Sequence, residues 1–387
     1  MPIPLSPRQI LETLVPFPTV SRDTNLPLVD WVEDYLSALG ISSVRIPNAE
    51  GTKAAVYAST GPEVEGGVIL SGHTDVVPVD GQDWTSDPWT LTERDGKLFG
   101  RGAVDMKGFD ALALAAMALA KQRGVKRPLQ IALSYDEELG LVGCADMIAS
   151  MVAGLPKAGA VIVGEPSSMS VVTGHKGGAG FRVHVKGFEV HSSILHRGVN
   201  AIMEAARIVD WANAMNAENR VRPPTPLAAL FDPPWTSLHV GKIRGGTAHN
   251  ITAGDCDFLF EFRVVPGEDL ESWVRRFEER VAEVEADMKA VRPEAGMTLD
   301  RYFTAPPLVP EEGGAAEALA RRLTGDTGRH VVSYGTEAGH FQAAGFSTVV
   351  CGPGDIAQAH QADEYITVEQ FEAGWSFMER LVGDLCA

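Results

Sequence analysis

The sequence predicts an α/β protein whose mostly parallel sheet is interrupted by an inserted α+β unit. Three observations point there. Short apolar runs alternate with a helical pattern in the first third of the chain, residue-by-residue alternation takes over near Gly180, and buried-strand character returns after about Thr298. In the first third, Gly67–Ser71 (GVILS) and Leu129–Tyr135 (LQIALSY) read as buried strands, and the Ala/Leu/Met-rich stretch Lys107–Gln122 between them reads as a helix. Strand, helix, strand in that order builds a parallel sheet. A third buried run, Ala160–Gly164, leads into GEPSS, and such sheets place their chemistry at the carboxyl ends of strands.

Beyond Gly180, FRVHVKGFEV alternates as a half-buried strand, Asn200–Asn219 is helical, Leu238–Val240 and Cys256–Val264 read as strands, and Leu270–Val291 is a Glu/Arg-rich helix. Strand, helix, two strands and helix make an α+β unit with one sheet face covered. FSTVVCGPG is a further buried strand of the first kind, so the outer domain is discontinuous. The expected boundaries are 1–178 and 293–387 for that domain and 179–292 for the insertion. Arg222–Pro234, rich in proline, reads as a surface loop.

A length of 387 residues fits two domains, and 45% hydrophobic with 22% charged residues excludes disordered and fibrous classes. Thirty-three Lys and Arg against 51 Asp and Glu give a net charge of −18, which disfavours nucleic acid and anionic membrane and leaves a small cationic or zwitterionic ligand. Cys144, Cys256, Cys351 and Cys386 form no CxxC pair and read as reduced thiols of a cytoplasmic protein. The opening MPIPLSPRQILETL lacks a secretory pattern, and the longest apolar run, Ala111–Ala120, is about half of a membrane span.

The chemistry collects at strand ends. GVILS runs into Gly72-His73-Thr74-Asp75, where His73 and Asp75 share one side, as a metal ligand and its orienting carboxylate would. Asp105 stands among the glycines of GRGAVDMKG, exposed on a turn where one carboxylate can bridge two cations. Asp136-Glu137-Glu138 ends LQIALSY, and three adjacent acids repel unless cations neutralise them. Glu165 ends the next run, and His360 follows the Gly-Pro-Gly turn. Taken singly, each has a plain reading: a solvated histidine, a helix N-cap at Asp105, a solvated turn at Glu137 and Glu138, a loop acid, a surface histidine. Two histidines and several acids together at strand ends point instead to a metal cluster, and imidazole with carboxylate and no thiolate favours zinc.

The strings SGHTDVVP, GRGAVDMKG, DEE, GEPS and GPG…AHQADEY resemble, in order, those of the dinuclear zinc amidohydrolases that include acetylornithine deacetylase, succinyl-diaminopimelate desuccinylase, aminoacylase and glutamate carboxypeptidase relatives. The resemblance runs from about Pro7 to Leu385. It implies a zinc-peptidase-like catalytic domain, a ferredoxin-like lid and dimerisation domain, and two zinc ions per chain, with cobalt or manganese as substitutes. His73 and Glu165 would hold one ion, Glu138 and His360 the other, and Asp105 would bridge them. Glu137 would be the general base and Asp75 the partner orienting His73. Amide hydrolysis at neutral pH needs a water whose pKa is lowered to about 7, which zinc supplies, and a non-ligating carboxylate to move its proton.

In the lid, GFEVHSS resembles the family's GxxGHSS segment with Val190 in the usual glycine position; by resemblance His191 reaches the partner subunit's site, which implies a homodimer. Asn250 and Arg263 match substrate-binding positions, Arg263 being suited to a carboxylate; read alone it is a strand residue in an ion pair. Thr336, Glu337 and Gly352 fall in segments that resemble the acetylornithine deacetylase branch. There Glu337 either receives the distal ammonium of the substrate or supports the backbone. The expected reaction is cleavage of an N-acyl amino acid, foremost N2-acetyl-L-ornithine to L-ornithine and acetate. Its rivals are the same chemistry on another N-acyl amino acid, an N-succinyl diamino acid or a dipeptide, and a non-catalytic metal- or ligand-binding homologue. The intact Glu137 and full ligand set count against the last.

Overall fold

Runs that are apolar on both faces must be covered on both, and here they form the centre of an eight-stranded sheet. The structure is a computed structural model that describes residues 4–387. Leu129–Ser134, Val68–His73, Ala160–Pro166 and Thr348–Gly352 lie side by side and parallel, every residue of them buried. Antiparallel strands Ala54–Thr60 and Ser43–Pro47 extend one side, Val172–His175 and His330–Val332 the other. The helix Lys107–Arg123 has no polar stripe and is buried almost all round, between the sheet and the helices Pro7–Leu14 and Val368–Leu385. It lies so close to Ala160–Pro166 that a Cβ on Gly164 would meet the Phe109 ring at 2.0 Å. Cys144–Gly154 and Ala338–Ala343 pack on the sheet apart from that main apolar cluster.

The second unit is an antiparallel sheet in the order Ser237–Gly245, Asp255–Val264, Gly177–Lys186, Gly296–Ala305, with helices Ala201–Val221 and Leu270–Val291. The chain order β-α-β-β-α-β with this strand order is ferredoxin-like. Asp255–Val264 alternates in burial, turning Phe258, Phe260 and Phe262 onto the helices, where Phe260 stacks on Phe277 at 4.3 Å between ring centroids. Ser237–Gly245 is an open edge.

The units divide at 174/175 and 307/308, with Val332–Gly335 joining the second, so the insertion is wider than 179–292. Its fourth strand, Gly296–Ala305, is an edge exposed in part on both faces and so lacks the alternation that marks buried strands. Gly177–Lys186 also begins earlier than the alternation does. Its glycines belong to the strand because rings of the neighbouring one lie over them; a Cβ on Gly180 would meet Phe303 at 2.2 Å. All four cysteines are free thiols, and among the described residues no helix is long and apolar enough to cross a membrane.

Candidate metal centre

Parallel strands deliver their carboxyl ends to one edge, and the first unit loads that edge with ligating side chains. Val68–His73 ends on His73, Leu129–Ser134 runs through Tyr135 into Asp136-Glu137-Glu138, and Ala160–Pro166 carries Glu165. Asp105 stands just before the helix at Lys107, and His360 follows the short turn Ile356–Gln358. The two carboxylate oxygens of Asp105 are divided between the histidines. Oδ1 lies 3.1 Å from His73 Nε2 and Oδ2 lies 3.0 Å from His360 Nε2. His73 Nε2 is also 3.7 Å from Glu165 Oε1, and His360 Nε2 is 3.1 Å from Glu138 Oε1. Donor atoms of His73, Glu137 and Glu165 lie within 4.8 Å of one another, as do those of His73, Asp105 and Glu138.

Electrostatics set the chemistry of this cluster. Burial first, then the neighbouring Glu165, pushes Glu137 well above the ordinary carboxylate range; burial and then Asp105 do the same to Glu165. Glu138 is raised by burial and then by Asp105. For Asp105 burial opposes the charge, yet hydrogen bonds from His360 and His73 hold it below the usual range. His360 is pushed up to about 10 by its hydrogen bonds to Asp105 and Glu138. Four desolvated carboxylates outnumber the two imidazoles that face them, so the site is short of positive charge. Nitrogen and oxygen donors without sulfur fit borderline divalent cations, and Asp105 is placed to offer one oxygen to each of two.

Residues 69–384 match peptidase family M20/M25/M40. The chain belongs to this family. It is 35% identical to an acetylornithine deacetylase of Myxococcus xanthus, over 98% of this chain and 97% of that one, and 30% identical to an acetylornithine deacetylase of Pasteurella multocida (strain Pm70), with the same coverage. An M20 family metallo-carboxypeptidase, Sso-CP2 from Sulfolobus solfataricus, shares the fold at a TM-score of 0.79 and 16% identity, covering 98% of each chain.

Asp75 occupies its expected place in this M20 chain but divides its labour differently. His73 Nδ1 faces the main-chain oxygen of Asp75 at 2.9 Å, whereas the carboxylate Oδ1 is 3.6 Å away. That carboxylate instead accepts the main-chain N–H groups of Glu137 at 3.1 Å and Glu138 at 3.4 Å. Glu364, which sequence reading did not single out, does the same for Asp105. Its Oε1 accepts the N–H groups of Val104 and Asp105 at 3.0 and 3.1 Å, and its Oε2 accepts from Arg101 at 2.5 Å. Burial pushes Glu364 up to about 7 despite the guanidinium beside it. Its place in AHQADEY, one acid among several, carried no signal of this role.

Thr336, Glu337 and Gly352 lie buried in the first unit with protein partners. Ala338 donates to Thr336 Oγ1, Ser71 donates to Glu337 Oε2 at 3.1 Å, and the Gly352 carbonyl accepts from Ser167 and Met169. Burial raises Glu337 to about 7. His191, Asn250 and Arg263 belong to the second unit. His191 caps the turn Ser192–Arg197, and Ser192 donates to the Asn250 carbonyl at 2.9 Å, so the two sit side by side. Val190 keeps a backbone outside the left-handed region and needs no glycine. Arg263, near the end of its strand, lies 3.2 Å from Glu261. Because Arg101 and Glu364 are both fully buried, Arg101→Met should strand a buried carboxylate and cost about 3–5 kcal/mol in urea unfolding; a loss below about 1 kcal/mol would contradict the pairing.

Proposed function

We propose that this chain is a dinuclear metal amidohydrolase that cleaves N2-acetyl-L-ornithine to L-ornithine and acetate. The observation that carries the chemistry is the division of Asp105 between two histidines inside a cluster of buried acids. What supports the substrate is the pair of acetylornithine deacetylases matched over nearly the whole chain. His73 and Glu165 would hold one metal ion and Glu138 and His360 the other, with Asp105 between them, and zinc would be the preferred ion. A bound metal pair supplies a Lewis acid and brings the pKa of water towards neutrality. Glu137 takes the proton of the attacking water on its carboxylate and delivers it to the leaving amine nitrogen. Glu137 lies within 4.8 Å of His73 and Glu165 without being one of the five expected ligands, which suits a carboxylate that must both accept and release a proton. Arg263 binds the substrate carboxylate and Asn250 assists from the same unit. Glu337 is buried, with its Oε2 accepting from the hydroxyl of Ser71, two residues before His73.

The working unit is a homodimer formed through the second unit, with His191 serving the partner's site. Around His191 and Asn250 the surface is apolar: Leu195 and Met203 are each 62% exposed, and Ile202 and Ile251 are close to 40%. Such a patch beside the open edge Ser237–Gly245 suits a two-fold contact.

Metal-loaded protein should release ornithine from N2-acetyl-L-ornithine, and Glu137→Gln should lower kcat at least about 10²-fold with metal content unchanged. Turnover of other N-acyl amino acids but not this one would overturn the substrate; near-normal turnover of the Gln variant would remove Glu137 from the mechanism. Co-expressed, doubly tagged heterodimers of His191→Ala with Glu137→Gln chains should regain part of the activity, since one of their two sites has both groups. Heterodimers as inactive as the parent homodimers would exclude action in trans.

A further inference from the structure

The first unit holds a chain of contacts that runs from Ser21 and Lys53 to the backbone of Glu137 and Glu138. Ser21, 3% exposed, donates its hydroxyl to Asp75 Oδ2 at 2.6 Å and its N–H to the Val76 carbonyl at 3.1 Å. Asp75 in turn accepts the N–H groups of Glu137 and Glu138. Lys53 closes the circuit from the other side. Its ammonium donates to the Ser21 carbonyl and to Asp136 Oδ1, the latter at 2.6 Å. Asp136 has a φ of 55°, in the left-handed region that Asp tolerates better than most non-glycine residues.

We propose that Ser21 and Lys53 are positioning residues for the reaction, acting through Asp75 and Asp136 to fix the backbone of Glu137 and Glu138. The inference rests on Glu137 being the general base. Ser21 aims the Asp75 carboxylate at the two amides rather than at His73, and Lys53 restrains both the residue that aims it and Asp136, the residue before Glu137. Without the hydroxyl, Asp75 loses its shortest hydrogen bond and the turn carrying the base and a metal ligand loosens. Groups that hold ligands in this manner are typically worth about 10–100-fold in activity.

The test reads the clamp and the chemistry separately. Amide hydrogen exchange of Glu137 and Glu138 is followed in metal-loaded wild type, Ser21→Ala, Ser21→Thr and Lys53→Met, alongside kcat and KM for N2-acetyl-L-ornithine. Ser21→Ala and Lys53→Met should speed exchange at these amides and lower kcat about 10–100-fold, with KM within about twofold. Ser21→Thr, which keeps a hydroxyl, should restore both. Unchanged exchange at Glu137 and Glu138 in Ser21→Ala and in Lys53→Met would overturn the clamp. Faster exchange with full turnover would overturn the positioning role, and a fully active Glu137→Gln protein would then place the fault in the base assignment. A kcat loss that Ser21→Thr fails to restore would also overturn it. Should Ser21→Ala not fold, Lys53→Met carries the same exchange and kcat readouts.

Discussion

Asp105, Glu137, Glu138 and Glu165 are gathered where burial penalises each charge and each acid penalises its neighbours, and much of the first unit is arranged to keep them there. The parallel sheet does the gathering, because its strands end at one edge. One turn beyond those ends and the segment before the helix Lys107–Arg123 are tied down by other buried carboxylates: Asp75 grips the amides of Glu137 and Glu138, and Glu364 grips the amides of Val104 and Asp105. Asp105, Glu137 and Glu138 are thus held through their main chain, which leaves their side chains free. Two divalent ions would convert this repulsion into cohesion.

The second unit has a different logic. Its aromatic core is built on Phe181, Phe260, Phe262 and Phe277, and the same unit carries His191, Asn250 and Arg263.

Much of this was legible in the sequence. Leu270–Val291 was legible as a long helix rich in Glu and Arg, and the structure shows its buried apolar stripe and the Asp269 cap at its start. The central strands were legible because nothing else buries such continuous apolar runs. His73, Glu137, Glu138 and Glu165 come together because each lies at or just beyond the carboxyl end of a parallel strand, and Asp105 and His360 join them from the segment before a helix and from a turn. Gly296–Ala305 was not legible, being an edge strand whose place is set by its pairing with Gly177–Lys186. Ser21, Lys53 and Glu364 were not legible either. Their partners lie 54, 83 and 259 residues away, and only the folded sheet brings them into contact. The carboxylate of Asp75 was expected on His73 because spacing along a strand reveals side-chain facing but not which neighbouring amide competes for it.

The central claim is that Asp105 is shared between two metal sites, and the most direct measurement is calorimetric titration of the metal-free protein with zinc. Wild type should take up about two ions per chain, and Asp105→Ala should lose high-affinity binding at both sites, because each is left with one histidine and one glutamate. An Asp105→Ala protein that still binds one ion per chain with wild-type affinity would contradict the shared carboxylate.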